Sequence, residues 1–126
     1  MPANEESIEL FNLASDDFKS CDGLIKMDLV THVVFFLAQQ TVEKSMKSVL
    51  ASQHIIYPKT HNLAKINLLL KENNITSPFS EQSLKQLIPF AADCRYGLPD
   101  VEFPDAKEML SVAETAINWC KKQIYD

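Results

Sequence analysis

Residues 106–124 repeat apolar side chains at intervals of three and four, and this repeat restricts the folds that the chain can adopt. The stripe consists of Ala106, Met109, Leu110, Ala113, Ile117, Cys120 and Ile124. An α-helix has about 3.6 residues per turn, so this spacing places the apolar side chains along one side of a helix. Such a helix needs other secondary-structure elements to cover its apolar side.

Similar stripes predict two more long helices earlier in the chain. The first runs from about Leu10 to Ile25, and Gly23 with Asp28 predicts a break and a fresh N-cap. The second runs from about Val30 to Gln53, with a core stripe of Phe35, Ala38, Val42, Met46 and Val49. Its start, "VVFFLA", is apolar nearly all round, so we expect either the bundle centre or a second copy of the chain to cover it.

Two shorter helices are predicted between residues 60 and 89. The predicted N-caps are Thr60 for the third helix, Ser80 for the fourth and Asp105 for the last. Pro89 should kink or end the fourth helix, because proline lacks a backbone N–H. Three long and two short helices predict an all-α, antiparallel up-and-down bundle, with residues 1–126 as a single domain. The two glycines in 126 residues argue against a turn-rich β fold.

Charge and hydropathy exclude several classes of protein. The net charge of −5 argues against broad binding of nucleic acid, whereas residues 39–75 carry five lysines against two acids. That basic middle leaves room for one phosphate-bearing ligand. The longest apolar run is far shorter than the roughly 20 residues of a membrane helix, and the N-terminus, "MPANEES", lacks a signal pattern. We therefore expect a cytoplasmic protein that does not enter the membrane, with its three cysteines reduced.

Polar residues collect on one flank of the second predicted helix. Gln40, Glu43, Lys44 and Lys47 lie beside the core stripe rather than opposite it. They form either an ordinary exposed helix face or part of a ligand site. His61 follows the predicted Thr60 cap, at the positive end of a helix. No catalytic triad, phosphate loop or paired metal-ligand spacing occurs, so we predict no cofactor, no metal and no self-sufficient active site.

Three segments together resemble the HEPN family of small helical domains. They are "FFLAQQTVEKSMKSVL" (35–50), "KTHNLAKI" (59–66) and "AADCRYG" (91–97). The family pattern has Q-Q-x-x-E-K-x-x-K on the second helix, T-H-x-L at a helix start and R-Y near the last helix. The resemblance implies a helical bundle, often a homodimer, that binds nucleotides or assists a partner nucleotidyltransferase. Some members are toxins.

Carried over residue by residue, the resemblance implies a ligand-binding surface made of Gln40, Glu43, Lys44, Lys47, His61, Arg95 and Tyr96. The toxin branch of the family cleaves RNA with an arginine followed, four to six residues later, by a histidine. Here Arg95 is followed by "YGLPDVE", and no histidine occurs after His61. Without that imidazole the usual acid–base partner is missing, so we expect a domain that is not an enzyme.

Three alternatives remain open at this stage. Lysine, arginine and tyrosine side chains suit a phosphate-bearing ligand, but Arg95 paired with Glu43 would serve equally well as a structural link. A divergent ribonuclease could take its base from His61. A protein-interaction scaffold would neither bind a phosphate-bearing ligand nor cleave RNA, and Arg95 would then serve only as a structural link.

Overall fold

Five α-helices build the part of the chain that the computed structural model describes, residues 2–91 and 102–126. They are α1 (Glu5–Lys26), α2 (His32–Ser52), α3 (Leu63–Glu72), α4 (Glu81–Leu87) and α5 (Ala106–Tyr125). Ile88–Phe90 form a 3-10 turn after α4, and the described ranges contain no β-strand. The prediction of an all-α bundle of three long and two short helices is confirmed.

Helix α2 lies at the centre and packs against each of the other four α-helices. Helix α1 runs antiparallel to α2: Asn4, at its start, bonds to Ala51 near the end of α2, and Cys21 bonds to Val34 near the start of α2. Helix α5 runs in the same direction as α2, because Phe103, just before α5, contacts Phe35 near the start of α2 with ring centroids 5.0 Å apart. The short helices α3 and α4 lie between α2 and α5 in the chain. Val34, Phe35 and Ala38 of the "VVFFLA" segment are fully buried, whereas Val33 is exposed.

Helices α1, α2 and α3 end in the same way. Asp28, His54 and Asn74 follow them with φ of 57°, 59° and 60°, in the left-handed region that glycine usually occupies at a helix end. The next N–H then bonds back to a carbonyl five residues earlier, as from Ile55 N to Leu50 O at 3.0 Å. The histidine at 54 therefore has a backbone role in ending α2.

The predicted helix starts need two corrections. Thr31, not Asp28, caps α2, and Asn62, not Thr60, caps α3 by accepting from the N–H groups of Ala64 and Lys65. Thr60, two residues earlier, instead accepts from the Asn62 N–H at 3.1 Å. His61 therefore precedes the cap rather than following it.

Helix α1 begins at Glu5, with Asn4 as its cap, five residues before the predicted start at about Leu10. Gly23 does not interrupt α1, which continues to Lys26. Ser80 and Asp105 cap α4 and α5 as predicted, and α4 ends before Pro89. Within the predicted α5 stripe, Ile117 is only partly buried, and its neighbour Ala116 is fully buried instead.

Trp119 anchors the α3–α4 connection to α5. Its indole N–H donates to the Thr76 carbonyl at 3.0 Å, and Phe79 packs edge-on against it with ring centroids 5.6 Å apart. Trp119 is the one tryptophan in the sequence.

Two cysteines of the described residues, Cys21 and Cys120, are buried free thiols. Burial is the main reason that the pKa of each thiol rises to about 11. Both pack as small core residues. Across residues 2–91 and 102–126, no helix has the length and apolar character needed to cross a bilayer.

Candidate functional site

A buried carboxylate, Glu43, is the centre of the polar cluster that the sequence places on α2. The residue is only 4% exposed. Its Oε1 accepts from Gln39 Nε2 at 2.9 Å, and its Oε2 accepts from Lys47 Nζ at 2.9 Å. The ring nitrogen Nδ1 of His61 lies 3.1 Å from Oε1 and 3.2 Å from Oε2. We call Gln39, Gln40, Glu43, Lys47 and His61 the Glu43 cluster.

Two elements bring the Glu43 cluster together. Gln39 and Lys47 lie one helical turn on either side of Glu43, so all three share a side of α2. His61 comes from the connection between α2 and α3, immediately before the Asn62 cap. Its backbone carbonyl accepts a second bond from Gln39 Nε2 at 3.3 Å. The buried Gln39 amide therefore attaches the start of α3 to α2.

The carboxyl group of Glu43 is ionised at neutral pH. Burial by itself would raise its pKa, but the hydrogen bonds from Lys47 and Gln39, the Lys47 charge and the His61 bond together lower it below its ordinary value. An ionised carboxylate only accepts hydrogen bonds. Its neighbours must therefore all present donors to it.

Lys47 has neighbours beyond Glu43. Its ammonium group is 5.6 Å from the centre of the Tyr57 ring, within the range of a cation–π contact. The Tyr57 hydroxyl donates to Glu6 Oε2 on α1 at 2.9 Å. Burial, together with that bond and the Glu6 charge, raises the pKa of Tyr57 to about 12. Lys47 is thus held between a carboxylate and an aromatic ring.

The predicted ligand-binding residues on α2 divide into two groups. Gln40 joins the Glu43 cluster, because its Nε2 donates to Gln39 Oε1 at 2.7 Å. Lys44 does not: its ammonium group pairs with Asp17 Oδ2 of α1 at 2.6 Å. The single flank expected from helical spacing is therefore split between an α3-facing cluster and a link to α1.

Arg95 and Tyr96 lie outside the described residues. The same applies to the predicted ion pair between Arg95 and Glu43, of which only the Glu43 side is described.

The exposed member of the Glu43 cluster is His61, whose side chain is 55% accessible. Because Glu43 holds Nδ1, the ring is oriented and its second nitrogen, Nε2, has no bonding partner among residues 2–91 and 102–126. An imidazole oriented in this way can bind a ligand or transfer a proton. No three or more histidine, cysteine or acidic side chains come together as metal ligands in those ranges.

Sequence reasoning missed three residues of this region. Gln39 was within the quoted Q-Q motif, and its spacing of four from Glu43 was a usable signal. Tyr57 and Asp17 carry no such signal, because each meets its lysine only through the packing of separate segments.

Comparison with known families identifies the domain. A family model described as the HEPN domain matches residues 8–123, most of the chain. The chain belongs to the HEPN domain family. The resemblance inferred from the α2 motif, the start of α3 and the R-Y pair is therefore confirmed. Comparison of this HEPN domain with curated proteins and with solved structures gives no match in either case.

Proposed function

We propose that this HEPN domain binds a nucleotide or another phosphate-bearing ligand, without catalysing a reaction, at the Glu43 cluster, through Gln40, Lys47 and His61. The observation that carries the proposal is the Glu43 cluster, in which a buried carboxylate orients an exposed imidazole beside a lysine. Preorganised polar groups of this kind bind a ligand at a lower cost in side-chain entropy than free surface residues do.

The local charge supports an anionic ligand. Lys47 keeps ammonium hydrogens beyond the one given to Glu43, since an ammonium group has three donors. Residues 39–75 are net basic in an otherwise acidic chain. The missing histidine after Arg95 supports binding without cleavage.

Calorimetric titration tests this proposal with ATP, GTP and inorganic phosphate as probes. We expect saturable heat from a nucleotide at millimolar or lower concentration, and a loss of at least fivefold in affinity for His61→Ala. His32→Ala is the matched control, because His32 is an exposed histidine at the start of α2, outside the Glu43 cluster. No heat and no thermal shift at millimolar nucleotide would contradict the proposal.

One observation favours a second candidate function, a divergent ribonuclease. The pairing of His61 Nδ1 with the Glu43 carboxylate is an arrangement that lets an imidazole act as a general base. Incubation of the purified protein with RNA decides between the two. Cleavage that disappears in His61→Ala, but not in His32→Ala, would replace the non-catalytic proposal.

The membership of the HEPN family also leads us to propose two protein partners, both in the cytoplasm. One is a minimal nucleotidyltransferase that this domain assists. The other is a second copy of the chain, bound through exposed apolar residues around the α1–α2 turn, namely Met27, Leu29, Val30 and Val33.

Sedimentation velocity of the wild type and of Val30→Asp tests the homodimer. We expect the wild type to sediment as a dimer and the variant as a folded monomer. Ile56→Asp is the control, since Ile56 is 94% exposed on the α2–α3 connection. A monomeric wild type at high micromolar concentration would rule out the homodimer.

A further inference from the structure

The buried Glu43 carboxylate determines which hydrogen-bonding atoms the Glu43 cluster presents to a ligand. We infer that Gln40 presents an acceptor oxygen and selects a nucleotide whose base carries an exocyclic amino group. This inference rests on the proposed function and names the ligand class for the same site.

The first step concerns Gln39, which is fully buried. Its amide nitrogen lies 2.9 Å from Glu43 Oε1 and 3.3 Å from the His61 carbonyl oxygen. Both of those atoms accept hydrogen bonds and neither can donate. The NH₂ end of the Gln39 amide must therefore face them, and its carbonyl oxygen must point the other way.

The second step concerns Gln40. The Gln39 oxygen accepts from Gln40 Nε2 at 2.7 Å. An oxygen opposite Gln39 Oε1 would be unfavourable, so Gln40 has to turn its NH₂ group inward. Its own Oε1 is then left without a donor among residues 2–91 and 102–126. The Glu43 carboxylate therefore orients the Gln39 amide, and the Gln39 amide in turn orients that of Gln40.

The third step concerns His61. Its Nδ1 must donate to the carboxylate, which places the proton of the neutral ring on Nδ1. The exposed Nε2 of the neutral imidazole is then an acceptor as well. With a neutral imidazole the cluster therefore presents two acceptors, one from Gln40 and one from His61.

This pattern matches the two ends of an amino-bearing nucleotide. Gln40 and Lys47 are seven residues apart on α2, so their α-carbons are separated by about 10 Å along the helix axis. An exocyclic amino group donates to the Gln40 oxygen, and the phosphate is placed towards Lys47. A uracil base in the same pose would direct a carbonyl oxygen at Gln40 Oε1, leaving two acceptors opposed.

CTP and UTP form the sharpest pair of probes, because cytosine has an amino donor at the position where uracil has a carbonyl oxygen. We expect calorimetry to show CTP binding about tenfold more tightly than UTP. Gln40→Leu should reduce this ratio to about one, because leucine has no acceptor. Gln40→Lys should reverse it, because an ammonium group only donates.

Two further variants separate the amide relay from general damage. Gln39→Met removes the group that orients Gln40, so it should lower the CTP to UTP ratio while nucleotide binding persists. Gln82→Leu, at an exposed position of α4, is the matched control and should keep the tenfold ratio. Thermal melts establish that each variant is folded, and Gln40→Leu decides the result if Gln39→Met is not.

The outcomes separate this inference from the proposed function. Equal affinity for CTP and UTP, or tighter binding of UTP, overturns the inference while nucleotide binding stands. A tenfold ratio that survives in Gln40→Leu also overturns it. If neither CTP nor UTP binds, the inference is overturned. The proposed function is overturned with it only if ATP, GTP and inorganic phosphate also fail to bind.

Discussion

Helix α2 buries polar residues on two opposite sides, and the two sides use them differently. Towards α1 it carries the small hydroxyl residues Thr41, Ser45, Ser48 and Ser52, all buried. Towards the start of α3 it carries Gln39 and the charged Glu43. The first side bonds mainly to nearby backbone, as from Thr41 Oγ1 to Leu37 O at 2.8 Å. The second side bonds mainly to side chains.

The two sides of α2 differ in how their buried polar groups find hydrogen-bond partners. A hydroxyl that bonds to its own helix is satisfied locally, and its small size allows a neighbouring helix to approach closely. A buried carboxylate cannot be satisfied that way, because it needs several donors from different segments. Glu43 therefore links α2 to the α2–α3 connection and leaves one of its partners, His61, at the surface. The proposed ligand site therefore lies on the second side.

The largest expected effect comes from removing the charge on the α3-facing side. Glu43→Leu should lower the free energy of unfolding by about 3 kcal/mol, because it leaves Lys47 and Gln39 without their shared acceptor. Urea denaturation measures this. Glu114→Leu, at an exposed position of α5, should change stability by less than about 0.5 kcal/mol. Equal effects of the two substitutions would contradict the comparison.

We also expect Glu43, on the α3-facing side, to contribute to the pH dependence of the free energy of unfolding. The folded-state pKa of Glu43 is below the ordinary 4.5, so its ionised form contributes fully above that value. The contribution is lost as the pH falls from 4.5 through the lower folded-state pKa. Urea midpoints between pH 7 and pH 3 should therefore fall less steeply for Glu43→Gln than for the wild type. If the urea midpoints of the two proteins fell equally steeply, other carboxyl groups would account for the loss of stability at acid pH.

A smaller effect is expected on the α1-facing side, at Ser48. Its hydroxyl donates to the Ser7 carbonyl of α1 at 2.6 Å. Ser48→Ala should lower the free energy of unfolding by about 1 kcal/mol, the usual net value of one such bond. Ser20→Ala, on the exposed side of α1, is the control for urea denaturation. A loss as large as that of Glu43→Leu would remove the distinction between the two sides.

The smallest effect, with the opposite sign, is expected at Ser45. Its buried Oγ has no hydrogen-bond partner in the described ranges. Ser45→Ala should raise the free energy of unfolding by about 0.5 kcal/mol, since it removes an unpaired hydroxyl and improves helix propensity. The same denaturation experiment checks this. A loss of stability would indicate that a buried water satisfies the hydroxyl.

Much of the fold could be predicted from the sequence because apolar spacing records which side of each helix is buried. The core stripe of α2 is an example, since Phe35, Val42 and Met46 are all fully buried. The exact starts of the helices were harder to predict. Thr60 and Asn62 are both good caps two residues apart, and local propensity does not decide between them.

The candidate site was predictable only where its contacts are local. The Glu43–Lys47 pair follows from a spacing of four on one helix. The partners of Glu43 and Lys44 from other segments, His61 and Asp17, depend on how those segments pack. No pattern within α2 shows that Lys44 bonds to α1 while Lys47 bonds to its own helix. That division is a property of the bundle.

The anchoring of Trp119 gives the molecule an internal optical reporter. A single indole, bonded to Thr76 and contacted edge-on by Phe79, makes the fluorescence spectrum sensitive to whether the α3–α4 connection is docked on α5. None of its described contacts involves the Glu43 cluster. Release of that connection can therefore be followed in solution separately from events at His61, without attaching a dye.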